Sequence, residues 1–99
     1  MKKIEFNSLA EKEFLSAIRY YEKRSRGLGR RFRNVVEKTL EAIQQFPESA
    51  REVRPEIRIK HVQKKFPYSI IYSVRKDSLY IVSVMHQKRN PTYWYSRVN

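Results

Sequence analysis

The spacing of apolar residues divides this chain, and the division limits the folds open to it. From Ala10 to Ile43 the apolar side chains recur at helical intervals; beyond Pro47 they alternate or run together as strand residues do. Ala10, Phe14, Ala17, Ile18 and Tyr21 define one face of a helix. Ser8 with Glu11 three residues later reads as the capping box that opens it. Arg24-Ser25-Arg26-Gly27 ends it, with Gly27 as the left-handed stop. Leu28, Phe32, Val35, Val36, Thr39, Leu40 and Ile43 carry the same period through a second helix, which Pro47 cannot extend. Two amphipathic helices with a short link form a hairpin with one oily face, and that face needs a sheet to cover it.

The sheet is legible on both sides of the hairpin. Lys2 to Phe6 alternates polar and apolar residues, as do Ile57 to Lys60. YSIIYSV (Tyr68–Val74) and LYIVSVM (Leu79–Met85) are apolar on both faces, and Arg75-Lys76-Asp77-Ser78 is the turn between them. The expectation is an α+β fold of order β-α-α-β-β-β: an N-terminal strand and a helical hairpin packed on a small, mainly antiparallel sheet. With 99 residues and no linker or repeat, residues 1–99 read as a single domain. The expected core is Phe14, Ile18, Phe32, Val36, Leu40, Ile70, Tyr72, Ile81 and Val84.

Composition removes many chemistries. The absence of cysteine excludes disulfide scaffolds, thiolate zinc sites, iron–sulfur clusters and a cysteine nucleophile. Two histidines are too few to expect a histidine metal site, so neither metal nor cofactor is expected. No apolar run approaches a membrane span, and the charged N-terminus does not resemble a signal peptide, which points to the cytoplasm. A P-loop is missing: Gly27-Leu28-Gly29 lacks the following Lys-Ser/Thr.

Charge is the positive signal. Twenty-two Lys and Arg against ten Asp and Glu give +12, which favours polyanionic partners. Residues 51–99 carry eleven of these cations and only three acids. Arg58, Lys60, Lys64, Lys65, Lys88, Arg89, Trp94 and Arg97 are the candidates for nucleic-acid or target binding, as cations for phosphate and rings for stacking. Metal-free RNA cleavage is conceivable with His86 moving the proton, Arg89 stabilising phosphate charge, and Tyr93 stacking a base or donating a proton. Arg30, Arg31 and Arg33, in the cationic run at the helix junction, are candidates for a partner-protein contact.

Several stretches carry a family resemblance: the opening strand with IEFNSLAEKEF, the helical hairpin, FPYSIIYSV, and IVSVMHQKRNPTYW. FPY-x-I-x-Y followed by V-x-H-x-x-R-x-P-x-x-W resembles toxins of the RelE/ParE superfamily of bacterial type II toxin–antitoxin modules over essentially the whole chain. The resemblance implies a growth-inhibiting toxin neutralised by a cognate acidic antitoxin. It leaves two targets: DNA gyrase in the ParE-like branch, or mRNA on the ribosome in the RelE-like branch. Carried over, the nuclease pattern is half present. Arg58 and Lys60 flank Ile59 and Tyr93 is in place, but Ser69 stands where the nuclease branch has an arginine, and Gln87 stands near another, with Arg89 two residues on. VMHQKRNP looks more like the ParE branch. The expectation is therefore a ParE-like gyrase poison whose contact surface is the basic, aromatic tail from Arg89 to Arg97; the alternatives are a metal-independent, ribosome-dependent mRNA endonuclease and a non-toxic basic nucleic-acid-binding module.

Overall fold

The computed structural model describes residues 1–63 and 65–98. Strand β1 (Lys3–Phe6) leads into helices α1 (Ser8–Arg24) and α2 (Leu28–Gln45). Strands β2 (Arg51–Arg54), β3 (Ile57–His61), β4 (Tyr68–Val74) and β5 (Ser78–His86) follow, and the tail ends in a single 3₁₀ turn, Tyr95–Arg97. The sheet runs β1-β5-β4-β3-β2, with β1 parallel to β5 and every other pair antiparallel. This is the expected α+β arrangement with one more strand. The Arg51–Arg54 segment, REVR, shows no apolar alternation, and it becomes a strand by pairing with β3 across the Pro55-Glu56 turn. Glu56 takes a left-handed φ of 65° there, and its N–H donates to the Glu52 carboxylate at 2.9 Å.

The cap of α1 differs from the expected one. Asn7, not Ser8, caps the helix: its side-chain oxygen accepts the Leu9 N–H at 2.8 Å, and its backbone carbonyl takes the Glu11 N–H. An asparagine outside the helix reaches the first turn better than a serine already inside it. Asn7 also donates to the Tyr80 hydroxyl at 2.8 Å, which ties the helix start to β5.

Glu22 and Gly29 bind the two helices together. Gly27 is left-handed as expected (φ 84°), but it opens α2 and lies beyond Ser25, the last cap residue of α1. The Glu22 carboxylate, on α1, accepts the N–H groups of Gly27 and Gly29 at 2.9 and 3.0 Å and so caps α2 from outside. A Cβ at Gly29 would stand 2.6 Å from the Ile18 carbonyl oxygen, so the close crossing requires glycine.

The helices lie on one face of the sheet, over a core that includes Phe32, Val36, Leu40, Ile70, Tyr72, Ile81 and Val84 as expected. Phe14 and Ile18 pack at its margin, half-buried. The Phe32 ring lies 5.0–6.1 Å, centre to centre, from the rings of Phe14, Tyr21, Phe66 and Tyr68. The opposite face carries a second core: Ile57, Ile71, Val82, Met85 and Trp94, covered by the tail. One irregularity sets up the site. Ile71 pairs with Ser83 and Tyr72 with Ile81, so Val82 is an extra residue and β5 bulges there.

Two stability measurements check this packing. Phe32→Ala is expected to lower unfolding free energy by about 3–5 kcal/mol in urea melts, because the ring is fully buried. Gly29→Ala is expected to cost about 1–3 kcal/mol through overpacking against the Ile18 carbonyl.

Candidate target-binding groove

Strand β1 stops opposite Ile81, but β5 continues to His86. The edge of β5 beyond the bulge therefore has no strand beside it, and α1 crosses above. The result is an open groove of about 490 Å³, walled by Leu9, Lys12, Ser16 and Tyr20 of α1 and by Tyr68, His86 and Arg89. Glu13 and Arg97 close its floor.

The floor is a hydrogen-bonded cluster. The Glu13 carboxylate accepts from the Ser83 hydroxyl (3.0 Å), the Val84 N–H (3.1 Å), the Tyr93 hydroxyl (2.8 Å) and both Arg97 terminal nitrogens (3.0 Å each). Arg97 also donates to the Val82 carbonyl at 3.0 Å. The two charged side chains are only 10% and 15% exposed. Burial alone would raise the Glu13 carboxyl, but the donors from Arg97, Tyr93, Ser83 and the Val84 N–H outweigh it and hold the pKa below its ordinary value. Burial pushes the Tyr93 phenol up to about 12, and the Glu13 carboxylate accepting its proton adds to the rise. Tyr93 is also 2.7 Å from Ser83, so two hydroxyl protons serve three short contacts.

His86 closes the end of β5. Its Nδ1 accepts the Lys88 N–H at 3.1 Å, which leaves the ring proton on Nε2, and its ring meets that of Tyr68 edge-on at 5.1 Å. The Arg89 guanidinium lies 4.0 Å from the centre of the Tyr93 ring.

The sequence-expected residues scatter around this geometry. His86 and Arg89 share the groove with Lys12, a residue that sequence reasoning had not singled out. Lys88 is exposed in the turn after β5. Arg58 is committed elsewhere, its guanidinium donating to the carbonyls of Glu48 and Ala50 at 2.9 and 2.7 Å, so it anchors the α2–β2 connection. Lys60 is half-buried beside α2, and Lys65 is exposed in the loop before β4. Lys64 lies outside the described residues. Arg30, Arg31 and Arg33 are exposed on the first turns of α2, Arg33 paired loosely with Glu37 at 3.4 Å. Trp94 and Arg97 correct the expectation of an aromatic contact tail: Trp94 is 2% exposed inside the second core, and Arg97 is spent on Glu13 and Val82. Apolar area was available beneath the tail, and burying the indole there outweighs offering it to a partner. Ser69 is fully buried, accepts from Gln87 at 3.3 Å and contacts His61 Nδ1 at 2.6 Å. Glu13 was missed. Its signal is a charge on the buried stripe of α1, three residues after Ala10 and four before Ala17.

The Glu13 cluster sets a pH profile. A depressed folded pKa adds stability that is present above the ordinary carboxyl value of 4.5 and lost as pH falls through the folded value. Glu13→Gln is expected to cost about 3–5 kcal/mol at neutral pH, since it leaves the Arg97 charge buried without its partner. The gap between Glu13→Gln and the native chain should shrink on acidification below about pH 4. A gap that stays constant down to pH 3 would show that the carboxylate is not the stabilising form.

Comparison with known proteins agrees with this architecture. The family model described as ParE toxin of type II toxin-antitoxin system, parDE, matches residues 4–91. A solved chain from the chromosomal ParDE TA system of P. aeruginosa has the same fold: TM-score 0.61 at 13% identity, covering 87% of this chain and 96% of that one. No curated protein matches the sequence significantly. Among the described residues no helix is long and apolar enough to cross a membrane. With a family match spanning nearly all of β1 to the tail, the chain belongs to the ParE toxin family of type II toxin–antitoxin systems.

Proposed function

We propose that this toxin arrests growth by binding and poisoning DNA gyrase in the cytoplasm, without catalysing a reaction itself. The observation that carries the reading is the state of Tyr93. To donate a proton in the RNA-cleaving alternative its hydroxyl would have to face substrate, but it is held between Glu13 and Ser83 and its phenol is pushed up to about 12 by burial. Ser69 and Arg58 support the same reading: the first is buried and uncharged, and the second is tied to backbone carbonyls. What the groove offers is a contact surface with Lys12, His86 and Arg89 beside the exposed Leu9 and Tyr20. Cations ringed around apolar side chains suit a protein target.

A cognate antitoxin is the second partner. An acidic, amphipathic segment laid in the same groove would pair its carboxylates with Lys12 and Arg89 and its apolar side chains with Leu9 and Tyr20. It would then neutralise by occupying the target surface. Arg30 and Arg33, exposed at the start of α2, extend the positive field that draws it in. The mRNA endonuclease remains the competing reading on one observation: His86, its Nδ1 fixed by the Lys88 N–H, lines the same groove as Arg89.

Purified toxin incubated with gyrase, ATP and supercoiled plasmid is expected to accumulate linear DNA, and ribosomes programmed with mRNA should show no new cleavage sites. His86→Ala should keep most of the activity, whereas Lys12→Glu with Arg89→Glu should lose about tenfold or more, the worth of charge-assisted contacts. Ribosome-dependent mRNA cleavage that falls 10²–10⁴-fold in His86→Ala, the usual cost of losing a general acid or base, would overturn the proposal.

A further inference from the structure

A second cationic surface lies away from the groove, along the seam between α2 and β3 with the chain that follows it. Two adjoining clefts open there, of about 320 and 290 Å³, and they share Val35, Lys38 and Gln63. Arg31, Lys38, Lys60 and Lys65 line them, and no carboxylate does so among the described residues. Four cations with no acid between them repel one another unless an anion is present. The side-chain amides of Asn34 and Gln63 add neutral hydrogen-bond donors.

The kind of polyanion can be read from what the seam lacks. Every strongly exposed large apolar side chain of the protein (Met1, Leu9, Leu15, Tyr20, Phe46) lies outside both clefts. An acidic protein would find no anchor to bury, and such anchors carry most of a protein interface's energy. Unpaired bases would find no row of rings to stack on: Phe66 is 3% exposed, and the exposed His61, its Nδ1 held 2.6 Å from the Ser69 hydroxyl, is a single ring rather than a platform for successive bases. A ligand that presents only its phosphates needs neither. Arg31 and Lys38 stand seven residues apart on one face of α2, roughly 10 Å along the axis. Long flexible side chains at that separation reach different phosphates of one strand, so each can make its own contact.

We propose that this seam is a sequence-independent binding track for the phosphate backbone of duplex DNA, separate from the groove beside α1. Its contacts position the duplex and read no bases. The assignment does not depend on the gyrase reading, because it concerns the toxin and DNA alone.

The test is fluorescence anisotropy of the purified protein with a short labelled DNA duplex, from about 50 to 200 mM salt. Affinity should fall linearly on a log–log plot against salt. Arg31→Gln with Lys38→Gln should make that slope shallower by about 1.8, the value for two lost phosphate contacts. Arg31→Lys with Lys38→Arg should restore it, which separates charge from folding. Arg51→Gln with Lys76→Gln removes the same charge from exposed sites outside the seam and should leave the slope unchanged. Equal losses for the two Gln pairs would overturn the proposal, since binding would then follow net charge alone. Stronger competition by single-stranded RNA or by an acidic peptide than by unlabelled duplex would also overturn it.

Discussion

The structure depends on the Glu13–Arg97 pair at the open edge of β5. β1 is four residues long and β5 nine, so the shorter strand leaves backbone groups of the longer one uncovered. A buried edge with unpaired N–H and C=O groups is costly. The ion pair fills in for the missing strand: Glu13 takes the Val84 N–H, and Arg97 donates to the Val82 carbonyl. The Val82 bulge makes this possible by bringing Ser83 out of the alternation and onto the carboxylate. A buried ion pair by itself is weak evidence for stability, because desolvation offsets the attraction. Here every lone pair of the carboxylate is used, and that is the condition under which such a network holds a unique geometry.

That one cluster also decides which surfaces remain for function. It draws the tail across the second face of the sheet, where Trp94 seals a core that no helix covers. Tyr93 and Arg97 become structural, although residue type alone would nominate both for chemistry or binding. Two sets of the remaining cations lie on opposite sides of the helical hairpin. Lys12 and Arg89 stand with His86 beside α1, next to exposed apolar side chains. Arg31, Lys38, Lys60 and Lys65 stand beside α2, where the apolar side chains are covered. Equal charge in unlike surroundings selects unlike partners: mixed apolar and cationic surface for protein, bare cations for a phosphate backbone.

The gyrase and antitoxin readings meet in the first of these sets. An antitoxin that fills the groove and a target that needs it exclude each other by simple occupancy, and no conformational change in the toxin is required. The +12 charge then acts mainly on encounter, steering either partner toward the cationic side at low ionic strength.

Helices, four of the five strands and most of the first core follow from the sequence alone, because periodicity records which side of each element is buried, and Pro47 marks where helical geometry must stop. The second half of the family motif is equally local: His86, Arg89 and Trp94 lie within nine residues of one another. Strand β2 was not legible, since REVR becomes extended only through pairing with β3. Nor was the role of Glu13, which lies 84 residues from Arg97 and acquires its meaning at the end of a strand that could not be measured from sequence. Residue type nominated the cations and rings of the tail, but only the tertiary structure decided between them. Burial beneath the tail and the unpaired edge of β5 claimed Trp94, Tyr93 and Arg97 for the fold, and left His86 and Arg89 at the groove.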